Sequence, residues 1–144
     1  MTVGVPSESF PQERCVAITP RAAEALRKAG IEVIVENSAG LNAGFSDEQY
    51  IARGARLANR AEIFREADAI AQVRTLGANR EAGRADLALF KSGQVLIGFG
   101  EPLTSLQECT DLAEAGVSFL SVELVPRITR AQSMDALSSM ATVS

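Results

Sequence analysis

Five short runs rich in Val, Ile and Leu punctuate the chain: "TVGVP" at 2–6, "IEVIVEN" at 31–37, "AIAQV" at 69–73, "QVLIGFG" at 94–100 and "VSFLSVELV" at 117–125. Each is separated from the next by segments of helical period, and "ARLA" at 55–58 adds a sixth, shorter strand. Strands that alternate with helices bury their apolar sides best as a parallel sheet covered by those helices. The expected fold is therefore α/β, a three-layer sandwich around a mostly parallel sheet.

The connecting segments carry helix signals. Thr19 followed by Pro20 reads as an N-cap with proline at the first helical position, and Gly30 ends that helix. Ala22, Leu26 and Ala29 form its expected inward face. Residues 38–45 read as a loop. Ser46 and Gln49 have capping-box spacing ahead of "DEQYIARG", which Gly54 closes, and "AEIFREAD" reads as a helix. Segment 76–92 is expected to be partly helical, with Leu87 and Phe90 inward. Thr104 is the expected cap of a helix whose Leu106, Cys109, Leu112 and Ala113 share a face, ended by Gly116.

Composition narrows the partners. The 144 residues are 47% hydrophobic and 22% charged, enough apolar content for one ordinary domain core. A net charge of -4 opposes non-specific binding to nucleic acid or an anionic bilayer, both of which need clustered Lys and Arg. No run reaches the length of a membrane helix, and no leader precedes "MTVGVP", so a cytoplasmic location is expected. Cys15 and Cys109 are expected to be buried free thiols. Histidine is absent, which removes the usual zinc sites and the His-activated nucleophiles; no metal is expected.

Three places invite a site reading. "GFGEPL" at 98–103 follows a strand and begins Gly-x-Gly, but Leu103 stands where the third glycine is needed and Pro102 is unsuited to a phosphate-facing helix start. Arg14, in the loop after the first strand, and Arg74, at the end of "QVR", lie where open α/β sheets gather ligands, although from the residues alone each reads more readily as a solvated charge. The segment after Pro126 is the densest in polar groups. Arg127, Gln132, Asp135 and Ser138 either form a ligand-facing loop or belong to a polar loop followed by a helix that Ser133 opens, with Met134, Leu137 and Met140 spaced three apart. That helix has barely two turns, too few to stand alone, so the chain is expected to be cut from a longer one.

"VGVPSES…ERCVAITP", "AGLNAGFSDEQY" and above all "VPRITRAQSMDALSSMA" resemble the N-terminal domain shared by alanine dehydrogenases and the NAD(H)-binding alpha subunit of proton-translocating NAD(P) transhydrogenase, the latter more closely. The resemblance implies a flavodoxin-like or Rossmann-like domain at 1–126. It makes 127–144 a nicotinamide-facing loop and the start of an inter-domain helix, and it places the NAD-binding second domain outside this chain. It also implies hydride transfer from NADH to NADP+ in an intact complex, with NADP(H) on a partner beta component, a homodimer of the intact subunit, and a cytoplasmic position peripheral to the inner membrane.

In alanine dehydrogenases, the resemblance implies, a lysine and a histidine bind and protonate the substrate; Arg74 and Glu101 hold those positions here. Hydride transfer between two nicotinamides needs no side-chain acid or base, only two rings held face to face. No acid/base residue is therefore expected. The carried-over cofactor contacts are Arg127, Gln132, Asp135 and Ser138, and Arg14 matches a carboxylate-binding arginine of the dehydrogenases. The alternatives are an alanine dehydrogenase-like enzyme with altered residues and a non-enzymatic α/β binding module.

Overall fold

The computed structural model describes residues 1–126 and 128–134. Among them six strands, β1 (Thr2–Val5), β2 (Glu32–Glu36), β3 (Arg56–Ala58), β4 (Ala69–Arg74), β5 (Val95–Phe99) and β6 (Ser118–Ser121), form one sheet. Every pairing is parallel, and the order is β3-β2-β1-β4-β5-β6. This is the doubly wound order whose ligand crevice opens at the carboxyl ends of β1 and β4, where the winding reverses. It narrows the expected α/β sandwich to the Rossmann arrangement.

The helices are α1 (Pro20–Lys28), α2 (Asp47–Ala52), α3 (Arg60–Glu66), α4 (Arg84–Leu87) and α5 (Leu106–Glu114). Because side chains alternate along each strand, the sheet supports two cores. Val3, Val5, Val33, Val35, Ala69 and Ala71 face one way, against Ala23 of α1 and Tyr50 of α2. Ile34, Ile70 and Leu96 face the other way, against Ile63 and Phe64 of α3 and Leu112 of α5. The crossing of α3 over β1 depends on Gly4, where a Cβ would lie 2.5 Å from Ile63 Cγ2.

Local capping fixes where the helices begin. Thr19 Oγ1 accepts the Ala22 N–H at 3.3 Å, and the Ser46 N–H donates to Gln49 Oε1 at 2.8 Å. Asn59 and Glu62 exchange hydrogen bonds at 2.9 and 3.2 Å, a complete capping box that starts α3 at Arg60. Tyr50 is wholly buried, and its hydroxyl donates to the Ile18 carbonyl at 2.8 Å.

Several expectations are corrected. In α1 the inward residues are Pro20 and Ala23 with Leu26 half-buried, while Ala22 and Ala29 are exposed. Ser105, not Thr104, is the N-cap of α5. That helix buries Glu108 and Leu112 and leaves Leu106 73% exposed and Ala113 exposed, because Glu108 turns toward Arg80 and Arg84 at 3.8 and 3.9 Å. Residues 41–43 form a 3-10 turn inside the expected loop. Only Arg84–Leu87 is α-helical within 76–92, and the last strand stops at Ser121, giving way to a 3-10 turn at Val122–Leu124. Ser133 lies within a 3-10 stretch, Thr129–Met134; the helix expected to follow it, with Leu137 and Met140, lies outside the described residues. Cys15 is exposed and Cys109 half-buried, both free.

Candidate functional site

The carboxyl ends of β4 and β5 and the loop after β1 enclose a cleft of about 340 Å³ lined by Glu13, Cys15, Val73, Arg74, Ala78, Phe99, Glu101 and Glu123. It lies at the point where the doubly wound topology reverses. Its floor is irregular because β4 carries a bulge: Ala71 pairs with Ile97 and Arg74 with Phe99, three residues against two. Glu8, from the loop after β1, reaches across to this bulge. Its Oε1 accepts the Val73 N–H at 2.6 Å and its Oε2 the Arg74 N–H at 3.0 Å.

Arg74 is held on its other side as well. Its Nε donates to Glu13 Oε2 at 2.8 Å, and its guanidinium carbon lies 4.3 Å from the centroid of the Phe10 ring. Glu13 also accepts the Cys15 N–H at 2.9 Å. Partial burial works to raise the Glu13 carboxyl, but the Cys15 N–H and the Arg74 guanidinium outweigh it and hold the group below the usual carboxylate range. Burial pushes Glu8 the other way, above that range, against its two N–H donors. Partial desolvation, then the Glu13 carboxylate, raise Cys15, so this exposed sulfur is a thiol and not a thiolate.

The opposite rim is the turn after β5. Glu101 adopts φ 47°, the left-handed region that a non-glycine residue enters only under constraint. The constraints are visible. Glu123 Oε2 accepts the Gly100 N–H at 3.1 Å, and Ser105 Oγ contacts the carbonyls of Gly100 and Glu101 at 2.6 and 2.7 Å. Gly77 packs so closely that a Cβ there would lie 1.8 Å from the Gly100 carbonyl oxygen.

Behind the cleft, the place where this fold commonly receives a pyrophosphate is filled. Arg60 spans Asp86, Glu36 and the Ser7 carbonyl at 2.6 to 3.0 Å, and Gln72 Nε2 donates to Asp86 at 3.3 Å. The Ser7 N–H, which could face a phosphate, donates instead to Glu36 at 2.7 Å. The first helical residue of α1 is Pro20, which has no N–H, and Thr19 already caps the turn. Carboxylates in this position oppose a diphosphate. The described residues suit one side of a small-molecule crevice better than the phosphate end of a nucleotide. They include no group of three or more His, Cys, Asp or Glu placed to hold a metal ion.

The sequence-predicted residues divide accordingly. Arg74 and Glu101 meet in the cleft. Arg14 is exposed, does not line it, and makes no hydrogen bond or ion pair among the described residues. Arg127, Asp135 and Ser138 lie outside the described residues, and Gln132 is described only as part of the Thr129–Met134 turn. Glu8, Glu13, Phe10 and Glu123 escape the sequence reading; the usable signal was an acid within three residues of the carboxyl end of each of two strands, β1 in "VPSE" and β6 in "SVE".

A doubly wound parallel sheet with its crevice at the reversal point is the architecture of nucleotide-dependent oxidoreductase domains. The family described as alanine dehydrogenase/PNT, N-terminal domain, matches residues 4–144, and the chain belongs to that family. It is 40% identical over 144 residues to the NAD(P) transhydrogenase subunit alpha of Cereibacter sphaeroides, spanning 99% of this chain and 26% of that protein. It is 36% identical over 132 residues to the alanine dehydrogenase of Methanococcus maripaludis, spanning 88% of this chain and 34% of that one. The crystal structure of transhydrogenase from Sinorhizobium meliloti superposes with a TM-score of 0.91 at 35% identity, over 99% of this chain and 41% of the other. The chain thus spans between a quarter and about two fifths of the length of these relatives. No helix among the described residues is long and apolar enough to cross a membrane.

Proposed function

We propose that this chain is the N-terminal domain of the NAD(H)-binding alpha subunit of a proton-translocating NAD(P) transhydrogenase. In that reading it forms one wall of the site where hydride passes from NADH to NADP+. Residues 1–126 are the α/β domain, and 127–144 are the nicotinamide-facing loop and the start of the helix leading to a second domain that holds NAD(H). A beta component brings NADP(H), the intact subunit is a homodimer, and this domain lies on the cytoplasmic side of the inner membrane, peripheral to it and held there through the intact complex, whose separate membrane domain carries the protons.

The observation that carries this reading over amino-acid dehydrogenation is the state of Arg74. A substrate carboxylate needs a free cation at this position, but the Arg74 guanidinium is engaged by Glu13 at 2.8 Å and stacked on Phe10. Across the cleft Glu101 replaces the expected proton-transferring histidine. What remains is a shaped, partly apolar wall, suited to positioning a flat ring and not to moving protons.

Within the loop, Arg127 and Ser138 hydrogen-bond the carboxamide or ribose, Asp135 orients Arg127, and Gln132 reaches toward the partner nucleotide. When bound, NAD(H) supplies the hydride; the chain's own residues orient the ring and exclude water. The test is a pair of assays on the full-length protein with its partner component. Reduction of an NADP+ analogue by NADH supports the reading. Oxidation of NADH by pyruvate and ammonium, with no transfer to the analogue, would establish the alanine dehydrogenase alternative instead.

A further inference from the structure

On a regular strand, consecutive N–H groups point to opposite edges, so one side chain cannot bond both. At Val73 and Arg74 it does, because the bulge turns one of the two, and both donate to the single carboxylate of Glu8 at 2.6 and 3.0 Å. Regular pairing resumes at once, with the Thr75 N–H on the Phe99 carbonyl at 2.8 Å. The bulge therefore sits between two fixed points, and Glu8 is its bracket from 65 residues away. The direction in which the bulge leaves Arg74 decides whether its side chain reaches Glu13 and Phe10.

We propose that Glu8 is the positioning residue of the cleft: it acts through Arg74, and its ionised carboxylate keeps the bulge in the form that aims the Arg74 guanidinium at Glu13 and the Phe10 ring. An ionised carboxylate accepts both N–H groups; a protonated one turns one oxygen into a donor and leaves one N–H without a good acceptor. The charges facing Glu8 are Glu13 from its own loop and Arg60 from α3, with Cys15 near enough to sense it. Arg60 is in turn shared with Glu36 of β2 and Asp86 of α4. Because burial raises Glu8 while its neighbour Glu13 is held low, the two carboxylates protonate in separate steps as the pH falls, Glu8 first.

The inference rests on reading the crevice as the functional site but not on its nucleotide chemistry, so it is tested without nucleotide. In a 15N-labelled sample of the chain, the amides of Val73 and Arg74 and the Arg74 Nε–H are followed from neutral pH downward, with the Cys15 amide as the reporter of Glu13. The three resonances move together, with a midpoint above that of Cys15. Glu8→Gln, which keeps the volume but replaces one acceptor by a donor, abolishes that step and moves the Arg74 Nε–H out of the shielding of the Phe10 ring at neutral pH. Should Glu8→Gln lower the melting temperature and leave the Arg74 Nε–H resonance in place, Glu8 is structural only and the proposal is overturned. Should the variant not fold, the unsubstituted chain still decides: Val73 and Arg74 amides that titrate while the Arg74 Nε–H stays fixed also overturn it. Neither result touches the hydride-transfer assays, and failure of those assays leaves this titration intact.

Discussion

Arg60 grips Asp86 through two parallel hydrogen bonds, Nε to Oδ1 at 2.7 Å and NH2 to Oδ2 at 2.6 Å, and Asp86 is buried while Arg60 is a quarter exposed. The pair ties the start of α3 to α4, and through Ser7 and Glu36 it ties both to the ends of β1 and β2. Removing one partner of such a pair leaves the other charge uncompensated in a poorly solvated place.

Asp86→Asn should therefore destabilise the fold by about 3 kcal/mol, since Arg60 keeps Glu36 but loses its bidentate acceptor. Urea unfolding at neutral pH reads the change. A loss below about 1 kcal/mol, the range of exposed pairs, would mean that water solvates this network more than its burial indicates.

Tyr50 gives a pH signature. Burial, then the Asp47 carboxylate, push its hydroxyl from 10.0 up to about 12, so the folded chain keeps the phenol proton where the unfolded chain has lost it. The stability it contributes is complete below pH 10, where both states are protonated, and is lost as the pH rises toward about 12. Tyr50→Phe should cost about 1 kcal/mol at neutral pH through the lost bond to the Ile18 carbonyl. It should also flatten the decline above pH 10, as read by chemical denaturation across that range. A variant that declines as steeply as the unsubstituted chain would contradict the assignment.

Glu101 predicts an unusual sign. Its φ of 47° costs a side-chain-bearing residue strain that glycine avoids, so Glu101→Gly should stabilise the domain by about 1 kcal/mol despite the added freedom of the unfolded chain. Thermal unfolding that instead shows a loss would mean that the Glu101 side chain makes a stabilising contact.

Gly4 predicts the reverse. A methyl group there meets Ile63 Cγ2 at 2.5 Å and the Ala67 Cβ at 3.0 Å, inside a packed layer, so Gly4→Ala should cost about 1–3 kcal/mol by pushing α3 off the sheet. Denaturant unfolding checks it; a neutral result would show that α3 has slack over β1.

The strands were readable because "TVGVP", "IEVIVEN", "AIAQV" and "QVLIGFG" are short, β-branched and bounded by turn residues. Helix faces were less so. In α1 the apolar residues other than Leu26 are small, so the periodicity that chose Ala22 and Ala29 carried little signal. In α5 the inward placement of Glu108 depends on Arg80 and Arg84, more than twenty residues earlier, which no local pattern contains. The site divides the same way. Arg74 stood out because it ends a strand, whereas the clamp on it joins Glu8 to a bulge across 65 and 66 residues and becomes visible only once β1 and β4 lie side by side.

The central claim, that this domain walls a site of direct hydride transfer, is tested most directly with NADH deuterated at the transferable position of its nicotinamide ring, supplied to the full-length protein and its partner component together with NADP+. The account predicts that the label moves to the NADP+ ring with none lost to water, because no side chain in the cleft handles the hydrogen as a proton. Deuterium released to solvent, or found in alanine when pyruvate and ammonium are present, would contradict it.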